Sequence, residues 1–224
     1  MPLNKKLERK FRKTYGIDLL PVGMADTLIA DIVEWNGAIG RTVDLEHISL
    51  LEFLKIDEPT RKRLKEAIAG LPLHKAAMQQ ITIDSTFNIS GGVDIPNWAV
   101  GIGAEIGLKN FISFRIEDVQ CRVLGRELRA ELLRILLRAK ETDLKYYRKK
   151  LSRRFIIEEL FYAGKVSFEI KAGSTGQLDV TLTKAKIADP HITYSTEGNA
   201  IVTFPGDLTV PFAADIEPVK DLMD

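Results

Sequence analysis

The chain has 224 residues, 45% of them apolar, and a formal net charge of +1. That length allows one large domain or two small ones, and the balance of charge argues against a generally nucleic-acid-binding protein. The single cysteine, Cys121, excludes an internal disulfide and fits a reducing cytoplasm.

The charge is segregated. Residues 1–15 carry a net +5 and residues 122–154 a net +8, which leaves about −12 for the remainder. Basic patches on a neutral chain point to a local anionic partner. No apolar run has the length of a transmembrane helix, and the N-terminus shows no apolar signal core. The chain is therefore expected to be made soluble and to enter a membrane, if at all, as β-structure, since only helices and closed barrels satisfy their backbone there.

Taken in order, the first element is a basic helix. Leu3, Leu7 and Phe11 recur every four residues, with Tyr15 next. Lys5, Lys6, Arg9, Lys10, Arg12 and Lys13 surround that stripe, and Gly16 stops it. Such a helix lies on an anionic membrane or docks on the protein by its stripe, and the pattern leaves both open. Ile17 to Val22 and Thr27 to Trp35 read as strands. Asp44 or Ser49 is placed to cap a short helix through Leu54. Asp57, Pro59 and Gly70 frame a helix whose charged face is expected to be solvated.

The longest signal runs from Gln80 to Asp118. Ile81, Ile83, Phe87, Ile89, Val93 and Ile95 alternate with polar residues, and Pro96 and Asn97 break the run. It resumes as Val100, Ile102, Ala104, Ile106 and Leu108, then Ile112, Phe114 and Ile116. Period two predicts a hairpin of two long amphipathic strands. Each half is more than twice the usual strand of about 5–6 residues, and about 9–11 residues cross a bilayer at a tilt. The apolar face can pack on a soluble core or on lipid.

Gly125 precedes a predicted helix from Arg126 to about Lys150, striped by Leu128, Leu132, Ile135, Leu136 and Leu144. Its other faces are very basic, and Arg148, Lys149, Lys150, Arg153 and Arg154 carry the patch to the next strand. Phe155 to Lys171 is a long apolar and alternating run, with Val166, Phe168 and Ile170 on one face. A Gly173–Gly176 turn, the alternating Leu178, Val180 and Leu182, and a Glu197-Gly198-Asn199 turn lead to Ala200, Val202 and Phe204. Pro205-Gly206-Asp207 turns the chain into Leu208, Val210 and Phe212, and Asp215–Asp224 reads as a short charged tail. The predicted fold is α+β in one domain spanning 1–224: a long, twisted, mainly antiparallel sheet with flanking helices and two extended amphipathic hairpins able to become a transmembrane β-barrel.

Catalytic chemistry is hard to find. His47, His74 and His191 lack ligand spacing, so no metal is expected. The glycines from Gly101 to Gly107 are misspaced for a dinucleotide loop and sit inside an alternating strand. Asp84, Asp94 and Glu105 have no general acid placed opposite a base. Cys121 beside Arg122 reads as a buried core thiol. No catalytic residue and no cofactor is expected.

The order of elements resembles the pore-forming domain of gasdermins. The likeness lies in the basic N-terminal helix, Leu19-Leu20-Pro21-Val22, the run Ile48–Leu54, the hairpin Ile81–Phe114, the basic helix leading into Phe155–Leu160, and the strand-turn-strand Ala200–Phe212. That resemblance implies a protein cytoplasmic when inactive and membrane-bound when active. It implies binding of acidic lipid through Lys5, Lys6, Arg9, Lys10, Arg12 and Lys13, helped by Arg148, Lys149, Lys150, Arg153 and Arg154. Residues 80–114 and 155–204 would straighten into four strands per subunit of a large homo-oligomeric barrel. The inserting residues would be Ile81, Ile83, Phe87, Ile89, Val100, Ile102, Ile106, Leu108, Val166, Phe168, Ile170, Val202 and Phe204. Membrane permeabilisation and cell death would follow. The short tail departs from the family's repressor domain, so control is expected from an activating protease or a separate inhibitory chain. The competing reading is a soluble α+β binding or scaffold module whose basic surfaces recruit lipid or protein without insertion.

Overall fold

The fold is given by a computed structural model, which describes residues 11–20, 28–35, 43–84, 111–143, 145, 151, 154–171, 191–206, 208, 209 and 211–219. Residues 11–15 are helical (α1), and Gly16 ends the turn at φ +78°, its N–H reaching the Arg12 carbonyl at 2.8 Å. That is the left-handed cap glycine supplies without strain. Strands β1 (Asp18–Leu19), β2 (Asp31–Trp35) and β3 (Val43–Ser49) follow. Next come helices α2 (Leu50–Phe53) and α3 (Glu58–Ala69) and strands β4 (His74–Lys75) and β5 (Gln80–Asp84). Then come β6 (Phe111–Glu117), β7 (Gln120–Val123) and helix α4 (Arg126–Thr142). The chain continues with β8 (Arg154–Tyr162), β9 (Lys165–Ile170), β10 (His191–Tyr194), β11 (Ala200–Pro205) and β12 (Pro211–Pro218).

The helices form where their caps predict. The Asp57 carboxylate accepts the Thr60 N–H at 2.8 Å, and Leu64 and Ile68, four apart, are buried. On α4, Leu132 and Leu136 are buried, with Leu128 and Ile135 partly so. Both helices contribute to one core cluster with Ile32 and Val33 of β2, Phe155, Ile156, Ile157 and Leu160 of β8, and Ile216 of β12. Arg63 pairs with Glu131, which ties the two helices together at their surface, and Lys55, just before α3, pairs with Asp143 at the end of α4 at 2.9 Å.

The predicted single long sheet is corrected to two. A seven-stranded sheet A runs β1-β12-β8-β2-β3, with β7 pairing β8 and β4 pairing β7. A five-stranded sheet B runs β10-β11-β9-β6-β5. Every pairing in both is antiparallel. Four ribbons pass from one sheet to the other in the same lateral order: β4·β7·β8·β12 in A become β5·β6·β9·β11 in B. They bend along one seam. Asp118 sits there at φ +53°, and the Val119 carbonyl accepts the Ala76 N–H at 3.0 Å. The Gly206 N–H reaches the Gly164 carbonyl at 3.0 Å. A Cβ at Gly164 would stand 2.4 Å from the Asp118 carbonyl oxygen, and one at Gly206 2.0 Å from that of Ala163. Neighbouring ribbons thus approach so closely at the bend that only glycine fits.

Other expectations change. Residues 43–49, read as the approach to a helix, form β3 because Asp31, Ile32 and Val33 pair with Ser49, Ile48 and His47. Strand β2 starts at Asp31 rather than Thr27: Ala30 turns at φ +63°, and the Asp31 carboxylate accepts the Leu28 N–H at 2.8 Å. Helix α4 is capped at Asp143, short of the predicted Lys150. The run Phe155–Lys171 is two strands, broken at Ala163-Gly164. Leu208 and Thr209 are turn, and the charged tail begins inside β12, whose Ile216 is buried. The long strands predicted over 85–110 and the segment 172–190 lie outside the described residues.

Candidate functional site

Seven of the residues singled out for insertion, Ile81, Ile83, Val166, Phe168, Ile170, Val202 and Phe204, lie on strands of sheet B. Cross-strand pairing places Ile83, Phe114, Phe168, Val202 and Ile192 at positions in one row across all five strands. A second row holds Ile81, Ile116, Val166 and Phe204. The interleaved row is Thr82, Arg115, Ser167, Thr203 and His191. Because side chains alternate faces along each strand, the register gives the sheet one apolar and one polar face. The hairpin β5–β6 and the later strands β9 and β11 are neighbours through β6·β9, so the two stretches read separately from the sequence form one continuous surface.

Four positions of the apolar face are closed to solvent. Ile81, Val166 and Val202 are 0% exposed and Ile116 1%. The polar face carries its own network: Ser113 Oγ donates to Glu169 Oε2 at 3.2 Å, and Asn199 Nδ2 donates to Glu169 Oε1 at 3.2 Å. Ile83, Phe168, Ile170 and Phe204 lie on β5, β9 and β11, whereas Phe87, Ile89, Val100, Ile102, Ile106 and Leu108 fall outside the described residues.

The basic candidates divide likewise. Lys5, Lys6, Arg9, Lys10, Arg148, Lys149, Lys150 and Arg153 lie outside the described residues. Lys13 is exposed on α1. Arg12 is engaged with Asp18, 3.2 Å away. Arg154 opens β8 with its guanidinium 4.6 Å above the Phe53 ring, so its charge is held partly by an aromatic face.

Acidic groups gather where β1, β8 and β12 run together. Burial pushes the Asp18 carboxyl up to about 6 although Arg12 pulls the other way, and Asp215 adds repulsion. Burial also raises Glu158, against the pull of Arg129, whose Nε lies 2.8 Å from Glu158 Oε1, and it raises Asp215. Burial and a hydrogen bond with Glu159 push the Cys121 thiol up to about 12, so it is an inert core group, as the sequence suggests. No group of three or more metal-ligating side chains occurs among the described residues. Sequence reasoning missed Tyr15 as more than a stripe residue: its hydroxyl bonds both backbone groups of Thr82 on β5. No local signal marks that contact, because it joins residues 67 apart.

No protein-family model matches the sequence, and no curated protein does. Among solved structures the chain is similar to a bacterial gasdermin from Bradyrhizobium tropiciagri, at 9% identity and a TM-score of 0.44, over 94% of this chain and 85% of that one. Similarity at that level does not place the chain in the gasdermin family.

Proposed function

We propose that this protein permeabilises membranes: it binds acidic lipid through its basic N-terminal helix, self-assembles, and inserts residues 80–114 and 155–204 as a β-barrel, with cell death as the outcome. One observation carries the reading. Within the two candidate ribbons, β5 and β6 of one and β9 and β11 of the other lie side by side in sheet B, with apolar positions in line on one face and polar positions in line on the other. A barrel wall needs that division, since one face meets lipid and the other water. The seam supplies a line at which such a sheet separates from the helix-packed sheet A. The full burial of Ile81, Ile116, Val166 and Val202 favours the rival reading, a soluble binding module that never inserts.

Dye release from vesicles separates the two. The pore reading expects release from anionic vesicles and none from zwitterionic ones. It also expects release to fall at least tenfold when Lys5, Lys6, Arg9 and Lys10 are all changed to Glu, each contributing on the order of 1 kcal/mol at an anionic surface. Intact anionic vesicles carrying bound protein would leave the soluble module as the function.

A further inference from the structure

We propose that Tyr15 is a removable cap on the outer edge of β5, and that the edge it covers is the docking site for a strand from a second copy of this chain. The inference rests on the pore-forming reading and adds its regulation. Among the described residues β5 is the last strand of sheet B and pairs with β6 alone. The Tyr15 hydroxyl donates to the Thr82 carbonyl at 2.8 Å and accepts the Thr82 N–H at 2.9 Å. Along an edge strand the outward-facing backbone groups belong to alternate residues, here 80, 82 and 84. Tyr15 therefore occupies the middle position of the edge. Any strand added there must take the Thr82 N–H, and that single hydrogen already belongs to the phenol.

The cap is carried by the other sheet. Arg12 pairs with Asp18 at 3.2 Å, Asp18 pairs in register with Ala214 of β12, and the Leu20 N–H reaches the Phe212 carbonyl at 3.0 Å. The Phe11 ring, 4.9 Å from that of Tyr15, is fully buried. One hydroxyl thus bridges sheet A to the edge of sheet B, and it stands at the end of α1, which bears Arg12 and Lys13. Engagement of that helix with an anionic surface draws the hydroxyl off Thr82, which couples lipid binding to exposure of the edge.

Among the described residues β10 is the far edge of the sheet, and it fits the vacated position. Strand β10 alternates in the same sense: Ile192 stands beside Val202 in an apolar row, and His191 stands beside Thr203 in the polar one. Joining that edge of one copy to β5 of the next keeps apolar positions beside apolar and polar beside polar. The junction is heterologous, so each copy added presents the same edge again, and the series closes into a ring or runs on. An uncovered edge is a template for such pairing, and its cover decides when pairing starts.

The test uses the full chain. Tyr15→Phe keeps the ring beside Phe11 and removes the hydroxyl. Thr82→Pro deletes the outward N–H and spares the β5–β6 ladder, a substitution that edge strands tolerate. Sedimentation velocity gives the association midpoint without lipid, and dye release from anionic vesicles gives the lag. Tyr15→Phe is expected to lower the midpoint or shorten the lag about 3- to 10-fold, the scale of one or two hydrogen bonds. Adding Thr82→Pro is expected to abolish the gain. Arg12→Gln, which loosens the same helix at a partly exposed position, should lower the solution midpoint as well, and covers the case in which Tyr15→Phe folds poorly. Tyr15→Phe and Arg12→Gln matching wild type within twofold overturn the proposal, as does a double variant that assembles as readily as Tyr15→Phe. Tyr15→Phe that stays monomeric at every concentration, with or without vesicles, leaves only a foreign strand as occupant and also overturns it. Thr82-dependent association with no leakage from any vesicle keeps the cap and rejects the pore. Leakage by wild type that Tyr15→Phe does not change does the reverse.

Discussion

Asp18 is a residue whose buried environment changes its chemistry. Its folded pKa of about 6 lies above the ordinary 3.8, so the folded state holds the proton more tightly than the unfolded one. The folded state is therefore favoured below the ordinary pKa, loses that advantage as pH rises through about 4 to 6, and carries the full cost above it. Asp18→Asn removes this dependence. Its stability relative to wild type should improve by about 1–3 kcal/mol between pH 4 and pH 7.5, read from urea midpoints at the two pH values. An unchanged difference rejects the assignment. Glu131, held low by its hydrogen bond with Arg63, and Glu52, held low by Lys65, act in the opposite sense and cancel in that comparison. Cys121, with its thiol pushed up to about 12, should resist alkylation at pH 8 in the native protein and react at once in urea. The burial of Cys121 was legible in the sequence. The ionisation of Asp18 was not, because it arises from β1 lying against β12 about two hundred residues away.

At the scale of elements, periodicity and caps located the parts. Asp57, Pro59 and Gly70 marked α3, and Gly198 at φ +78° closes the β10–β11 turn that Glu197-Gly198-Asn199 announced. The missed division of one long run into two strands has a clear cause. A strand that bends at a close crossing keeps its alternation, so nothing local separated β8 from β9 at Ala163-Gly164. The seam is therefore the element-scale feature to test. Gly164→Ala and Gly206→Ala put a methyl 2.4 Å and 2.0 Å from a neighbouring carbonyl oxygen, distances that only backbone movement relieves. Each should cost about 1–3 kcal/mol in a urea titration, whereas Gly125→Ala, with nothing within 4 Å, should cost far less. Equal losses at all three would mean that the ribbons are not in contact at the bend. Leu136→Ala, at a fully buried position of α4, should cost about 2–5 kcal/mol and sets the scale for ordinary core damage.

At the scale of the whole molecule, the sequence marked the alternation in β5, β6, β9 and β11 but not how these strands are arranged. Period two says that a strand has two faces; it does not say which strands are neighbours. The β6·β9 pairing, which sets Phe114 beside Phe168 and Arg115 beside Ser167, aligns ribbons that the chain separates by a helix. The central claim is that this sheet exchanges its protein core for lipid. The direct measurement is quenching of single tryptophans by bromine on lipid acyl chains, in a chain whose Trp35 and Trp98 are replaced by Phe. Probes at Phe114→Trp and Phe168→Trp stand in an apolar row, and probes at Arg115→Trp and Thr203→Trp in the adjacent polar one. On anionic vesicles the first pair should be strongly quenched and the second spared. Vesicle-bound protein with all four probes unquenched would show that the sheet keeps its soluble packing, and would contradict the account.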